Sequence, residues 1–273
     1  MLDAHVHLER GPYTLEWIGE FVRQAQRVGV DQLYLLEHSH RFREFAAIYR
    51  RRVDRADPGF GAYQRAWLER KMTVSLAEYV RLAEAVRNAD FPIAVRCGLE
   101  VCYFPGETEA IRAVVAGYDW DFLTGSVHWI DGWGFDHPAT QATWLTQDVD
   151  AVYRRYYQIM EELIGSGLFS HLGHPDSLKC FGHYPQTDLT GTYRAIARLA
   201  QAHRLKVEFN AGLRLNYGHP ELGLSPAFLA QLQAAGAELV TASDAHRPED
   251  VGRYLREAEA MIRDSGPIKS SRR

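Results

Sequence analysis

The sequence predicts an α/β barrel of seven parallel strands, and three observations carry that prediction. Short apolar runs alternate with helical stretches along the whole chain, the pattern of a parallel sheet joined by helical crossovers. Most of those runs empty into histidine or a carboxylate at their C-terminal ends, the edge where barrels of this type carry their active sites. No linker or internal repeat divides the 273 residues, which at 46% apolar content suit one barrel domain over 1–273.

The first strand is Asp3-Ala4-His5-Val6-His7-Leu8. Alternation puts His5 and His7 on one face and Leu2, Ala4, Val6 and Leu8 on the other. Thr14 suits the N-cap of a helix over 15–28, with Ile18, Phe21, Val22, Ala25 and Val28 at helical spacing. The run 33–36 is the second strand and delivers Glu37-His38-Ser39-His40, where alternation favours only one ligand, His38 or His40. Residues 41–70 are the least regular stretch. Arg41, Arg43, Arg50, Arg51, Arg52 and Arg55 mix there with Phe42, Phe45, Tyr49, Phe60, Tyr63 and Trp67. That composition suits a lid over an anionic substrate, or equally a solvated helix face with aromatics packed beneath.

Ser75 caps an amphipathic helix to about 88, and Pro92 leads into a third strand over 93–101 containing Gly98-Leu99-Glu100. A carboxylate buried at a strand end needs a partner, and a metal ion would be one. A helix over 107–116 precedes the fourth strand, 121–128, which ends in His128 before an aromatic, Gly-rich loop at 129–138. Asp148 caps a helix to about 164. The fifth strand, 168–172, contains His171 and leads into Gly173-His174-Pro175-Asp176. A helix over 188–203, a sixth strand over 206–210, the loop Ala211-Gly212-Leu213-Arg214 and a helix opened by Pro226 follow. The seventh strand, 238–241, ends in Ser243-Asp244-Ala245-His246, and a helix over 249–263 precedes a tail expected to fray after about 265.

Composition narrows the function classes. A formal charge of −4 gives no reason to expect nucleic acid as the main partner, and no apolar run is long enough to span a bilayer. The N-terminus lacks the series of regions that makes a signal peptide. Cys97, Cys102 and Cys180 lack zinc spacing and are too few for a disulfide framework. A reduced, cytoplasmic enzyme is the expectation.

What stands out is 12 histidines, six of them candidates at strand ends. His5, His7, His38, Glu100, His128, His174, Asp244 and His246 form a ligand set too large for one zinc site and point to two or three divalent ions, Zn, Mn or Fe. Glu100 is placed to bridge, one oxygen to each of two ions. Clustered ions lower the pKa of a shared water and neutralise an anionic transition state, which suits phosphate esters. Arg214, Lys179 and Arg41 or Arg43 are then candidates to hold the phosphate, although a lone arginine on a barrel loop is more often a surface ion pair. His246 or an adjacent water is the candidate proton donor to the leaving group. His171, three residues before His174, fits a supporting role better than ligation.

The motifs His5-Val6-His7, Glu37-His38-Ser39, Gly98-Leu99-Glu100, Ser126-Val127-His128, Gly173-His174-Pro175-Asp176 and Ser243-Asp244-Ala245-His246 resemble the polymerase and histidinol phosphatase (PHP) superfamily. Asp131-Gly132-Trp133, Phe135-Asp136, Asn210 with Gly212-Leu213-Arg214, and the run from Arg247 to Gly252 resemble its histidinol-phosphatase branch. The resemblance implies a distorted, TIM-like (β/α)7 barrel, the PHP fold, with a trinuclear centre that hydrolyses L-histidinol phosphate in histidine biosynthesis. It also implies that His5, His7, Glu100 and Asp244 hold one ion, that Glu100, His128 and His174 hold a second, and that His38 and His246 hold a third. Arg214 and Lys179 match positions where that branch keeps cations beside the phosphate. One departure is plain: members usually place a further histidine soon after the His-x-His pair, and residues 8–14 contain none. Glu9 or Tyr13 would have to supply an oxygen there, or the third ion is weak or missing. Other readings are a PHP phosphoesterase acting on another phosphomonoester or a nucleotide, an amidohydrolase-type barrel enzyme, and a non-catalytic metal-binding module.

Overall fold

The computed structural model describes residues 1–265, so the tail expected to fray after about 265 lies outside the described residues. In chain order the first half comprises β1 (Leu2–His7), α1 (Leu15–Val28), β2 (Gln32–Leu36), α2 (Ala46–Arg52), α3 (Gly61–Lys71), α4 (Leu76–Arg87), β3 (Ala94–Cys97), β4 (Leu99–Cys102), α5 (Thr108–Val115) and β5 (Leu123–Ser126). The second half comprises β6 (Trp129–Ile130), β7 (Trp133–Gly134), α6 (Val149–Gly165), β8 (His171–Leu172), α7 (Thr190–Ala202), β9 (Lys206–Asn210), α8 (Gly212–Tyr217), α9 (Pro226–Ala235), β10 (Glu238–Ala242) and α10 (Leu255–Asp264).

Two parallel sheets, β1-β2-β3 and β10-β9-β8-β5-β4, make one nearly closed barrel. They meet at two seams. At the first, Asp244 N donates to the His5 carbonyl (3.0 Å), His7 N to the Ala245 carbonyl (2.8 Å) and Thr241 Oγ1 to the Leu2 carbonyl (2.7 Å). At the second, Gly98 N donates to Leu35 O (2.8 Å) and Glu100 N to Glu37 O (3.0 Å). The expected third strand is therefore broken at Gly98, β3 pairing with β2 and β4 with β5. The cause is steric. A Cβ on Gly98 would stand 2.5 Å from the Phe122 carbonyl oxygen, so this is where a glycine lets the chain change sheets.

The first strand also departs from simple alternation. Its register against β2 slips between Asp3 and Val6, as at a β-bulge, and a one-residue slip exchanges the two faces. Val6 and Leu8 join the large core under the helices, whereas Ala4 packs in a separate small cluster with Tyr34, Leu36, Phe122, Val240 and Ala242. That cluster draws on strands across the barrel and fills its interior beneath the site. His171 belongs to this floor, its ring 5.1 Å from Phe122 and 5.9 Å from Tyr34.

Residues 41–70 are ordered by helices α2 and α3. Phe42, Phe45 and Tyr49 are buried while Arg50, Arg51 and Arg52 face solvent, the packed-aromatic alternative of the two expected from sequence. Gln64 ties α3 to the hairpin β6–β7, its Nε2 donating to Gly132 O (2.9 Å) and Asp54 O (2.5 Å) and its Oε1 accepting from Gly134 N (2.8 Å). The last helix begins at Leu255, since 248–254 form tight turns. All three cysteines are free and buried, and among the described residues no helix is long and apolar enough to cross a membrane.

Replacing Gly98 with valine should force Phe122 aside and lower unfolding stability by about 1–3 kcal/mol, the usual cost of overpacking. An unchanged urea midpoint would show that the strand break does not depend on this contact.

Candidate metal centre

Six of the barrel strands deliver one or two donors each to the same mouth of the barrel. His5 and His7 close β1, His38 follows β2, Glu100 lies in β4, His128 follows β5, His174 follows β8, and Asp244 and His246 follow β10. His5, His7 and Glu100 are within 1% of complete burial. His174 (φ 27°) and Asp244 (φ 60°) both hold left-handed backbone, which non-glycine residues rarely adopt and which the barrel must enforce. In each case the turn swings a side chain just past its strand back over the barrel axis.

Glu100 sits at the centre, and its two oxygens face different histidines. Oε1 lies 2.8 Å from His174 Nε2 and 3.3 Å from His128 Nε2. Oε2 lies 2.5 Å from His38 Nδ1 and 3.7 Å from both His5 Nε2 and His7 Nε2. Asp244 Oδ1 is 3.5 Å from His7 Nε2 and 3.8 Å from His5 Nε2. Donors about 2.1 Å from one ion, at angles between right and tetrahedral, stand about 3.0–3.4 Å apart. The separations of 3.3–3.8 Å here are long for hydrogen bonds and close to the spacing that donors around one ion would have. Three groups bring their donor atoms within 4.8 Å of one another: His5, His7 and Glu100; His38, Glu100 and His128; and His7, His38 and His246.

Charge is shared unevenly across the cluster. Burial alone would push the Glu100 carboxyl up, but His38, His128, His5 and the contact from His174 hold it well below the usual range. Burial drives His7 well below its ordinary value, helped by His38 and His246, so its imidazole stays neutral. Burial also lowers His128, to about 3. Against the effect of burial, the neighbouring carboxylates raise His5, His38 and His174, so a divalent ion binding there would displace protons from these rings. Glu100 Oε2 touches His38 Nδ1 without hydrogen-bond geometry, and the buried His7 Nδ1 and His174 Nδ1 lack hydrogen-bond partners among the described residues, a costly state unless something else satisfies these atoms. The residues fit divalent ions.

A supporting layer fixes the ligands. Glu208, wholly buried in β9, takes His5 Nδ1 at 2.9 Å and accepts from His174 N (3.2 Å) and Asn210 Nδ2 (3.0 Å). With Nδ1 on a carboxylate, His5 presents the lone pair of Nε2 to the centre. Asn210 Oδ1 accepts from Gly212 N (2.8 Å), and a Cβ on Gly212 would stand 2.2 Å from Asp244 Oδ2. Only glycine lets helix α8 begin this close to a ligand. Sequence reading passed over Glu208, although an acid inside an apolar strand is the same signal that singled out Glu100.

The mouth opens into a cavity of about 440 Å³. Its walls include Tyr63, Trp67 and Lys71 from α3, Trp129 and His137 from the hairpin region, and Arg10, His40 and Asp136. His40 packs between His38 (4.5 Å) and Trp67 (4.6 Å), and His137 bonds the Tyr63 hydroxyl. Burial raises the Asp136 carboxyl to about 7, against the pull of His174 and His38.

The four cations expected beside a phosphate are placed elsewhere. Arg214 bonds Glu257 and the Pro220 carbonyl, each at 2.7 Å. Lys179 is buried between Asp176 (2.7 Å) and Glu221 (2.5 Å). Arg43 donates to the Thr73 carbonyl at the surface. Arg41 pairs with Glu37 (3.3 Å) and Glu9 (3.5 Å), one carboxylate short of the cavity. Each is held by its own acceptors, and the cations that do line the cavity are Arg10 and Lys71.

A family model described as PHP domain matches residues 3–212. A curated relative from Deinococcus radiodurans, named "Probable histidinol-phosphatase", is 29% identical over 269 residues, covering 97% of this chain and 94% of that one. Among solved structures, a histidinol phosphate phosphatase from Lactococcus lactis, complexed with zinc, L-histidinol and phosphate, gives a TM-score of 0.69 at 16% identity, covering 97% of this chain and 93% of its own. A provisionally named histidinol phosphatase from Listeria monocytogenes gives 0.72 at 19% identity, covering 93% and 98%. At these identities the two structures establish the fold, a distorted (β/α)7 barrel.

If Glu208 sets the tautomer of His5, Glu208→Gln should weaken metal binding about 10–100-fold, the usual cost of losing such a partner. Competition against a chromophoric chelator measures this, and an unchanged affinity would remove Glu208 from the centre's support.

Proposed function

The chain belongs to the PHP domain family, and on that premise we propose that it is a metal-dependent phosphoric monoester hydrolase whose substrate is L-histidinol phosphate. The observation that carries this reading is one cluster in which His38, His128, His174, Asp244 and His246 line the cavity and His5, His7 and Glu100 lie buried against them. These residues would hold two or three divalent ions, Zn, Mn or Fe, with Glu100 shared between two of them. Ions held there would lower the pKa of a water and offset the charge of a phosphate ester. The names of the Deinococcus and Lactococcus proteins support the substrate. A cytoplasmic role in histidine biosynthesis follows from the same reading.

The chain's own groups take distinct parts. His246 Nδ1 lies 3.0 Å from the Asp244 carbonyl oxygen, which can only accept, so Nδ1 keeps the proton and Nε2 offers a lone pair. That geometry suits His246 as a ligand and leaves water at the open rim to protonate the leaving alkoxide. Arg10 and Lys71 stand on the cavity wall where phosphate oxygens would approach, taking the part first assigned to Arg214, Lys179, Arg41 and Arg43. The flat faces of Trp67, Trp129 and His137 offer a wall for an imidazole ring.

Chelation should reduce hydrolysis of histidinol phosphate more than about 100-fold, and Mn or Zn should restore it. Full turnover by metal-free protein would overturn the assignment. In a panel with phosphoserine, phosphotyrosine and nucleoside monophosphates, histidinol phosphate should have the highest kcat/KM, and a different winner would replace the substrate while keeping the reaction. Trp67→Ala should raise KM for histidinol phosphate about 3–10-fold with kcat nearly unchanged, the loss expected from one aromatic contact. Steady-state kinetics with an aliphatic phosphoester as control reads that difference.

A further inference from the structure

The group formed by His7, His38 and His246 contains three nitrogen donors and no oxygen. His7 and His38 also face Glu100, so an ion at the outer edge depends on His246 and on whatever stands beside it. That neighbour is Glu9, two residues beyond His7 on the cavity wall. Its carboxylate is divided. Oε2 faces Lys71 Nζ (3.4 Å) and Arg41 Nη1 (3.5 Å), while Oε1 points inward, 3.6 Å from His246 Nε2.

The inward pair is the informative one. His246 Nδ1 is turned to the Asp244 carbonyl, so the neutral ring presents the lone pair of Nε2 toward Glu9 Oε1, itself a lone-pair donor. Two such atoms this close repel unless a cation lies between them, and their spacing is near that of adjacent donors on one ion, about 3.0–3.4 Å. Tyr13 offers no alternative, because it does not line the cavity, and its buried hydroxyl has no hydrogen-bond partner among the described residues.

We propose that Glu9 Oε1 is an oxygen ligand for a divalent cation at the outer edge of the centre, bound together with His246 and the adjacent histidines His7 and His38. The inference rests on the metal-dependent reading above, fixes the number of ions at three and adds a ligand for the outermost. Arg41 and Lys71 orient the carboxylate by holding its other oxygen. They stand at the two ends of the 41–71 connection, so the same carboxylate links that segment to the ion. A carboxylate among imidazoles suits Zn, Mn or Fe(II).

The test is metal content of the full-length chain by inductively coupled plasma mass spectrometry, with a Mn(II) titration followed by electron paramagnetic resonance. Wild type should hold about three equivalents and Glu9→Gln about two, with the weakest Mn(II) affinity lowered at least about tenfold. Lys71→Met, which keeps the carboxylate and removes one of its cations, should keep about three. Equal stoichiometry and affinity in wild type and Glu9→Gln would overturn the proposal. So would loss of the same ion in Lys71→Met, which would mark Glu9 as a structural ion-pair partner. A wild type limited to about two ions would also overturn it, while leaving a two-ion phosphatase intact. Conversely, loss of one ion in Glu9→Gln from a protein without phosphatase activity would support the ligand and sink the proposed function.

Discussion

The structure depends on a carboxylate that could not stay ionised where it is without its neighbours. Glu100 is 1% exposed, and burial opposes its charge. What holds the charge is a ring of imidazoles from β1, β2, β5 and β8, each brought there by a different strand. Remove the convergence and the acid would be neutralised or unfolded. The barrel is thus the means by which residues distant in the chain share one ionised group.

Several irregularities of the fold serve that convergence. The slip in β1 turns His5 and His7 inward after Ala4 has already gone to the barrel floor. The break at Gly98 passes the chain from one sheet to the other just before Glu100. His174 and Asp244 spend backbone strain to face the axis. Strain and bulges tend to persist where the surrounding packing overdetermines them, and here that packing includes the seam between β1 and β10 and the carboxylate of Glu208. Asp3 reinforces the same seam, accepting from Ser243 N (2.8 Å) and Gly252 N (2.9 Å). Fixed donors suit metal chemistry, because a ligand that must reorganise lowers affinity.

The connection between β2 and α4 plays a second part. Its helices present Tyr63, Trp67 and Lys71 to the cavity, and its buried Gln64 locks it to the hairpin that carries Trp129. The candidate metal donors lie on strand ends, while the groups that would meet a substrate's variable portion lie on this inserted wall. Such a division lets one barrel keep its reaction and change its substrate through loops.

Much of this was legible in the sequence. Apolar runs alternating with helical periodicity gave the parallel barrel, and polar residues at the ends of those runs gave eight candidate donors that the fold gathers into one cluster, because strand direction alone sends C-terminal ends to one face. The chain by itself did not reveal Glu208, hidden as one acid within an apolar strand, nor the parity change in β1, which arises only against the register of β2. Nor could it say which cations are free. Arg214 and Lys179 looked available as single charges, and only the folded chain brings Glu257, Asp176 and Glu221 beside them. Sequence therefore determined the barrel and the donor chemistry, since both follow from local pattern. Tertiary structure decided the pairing of charges and the walls of the cavity, since Coulomb interactions depend on distances that local pattern does not set.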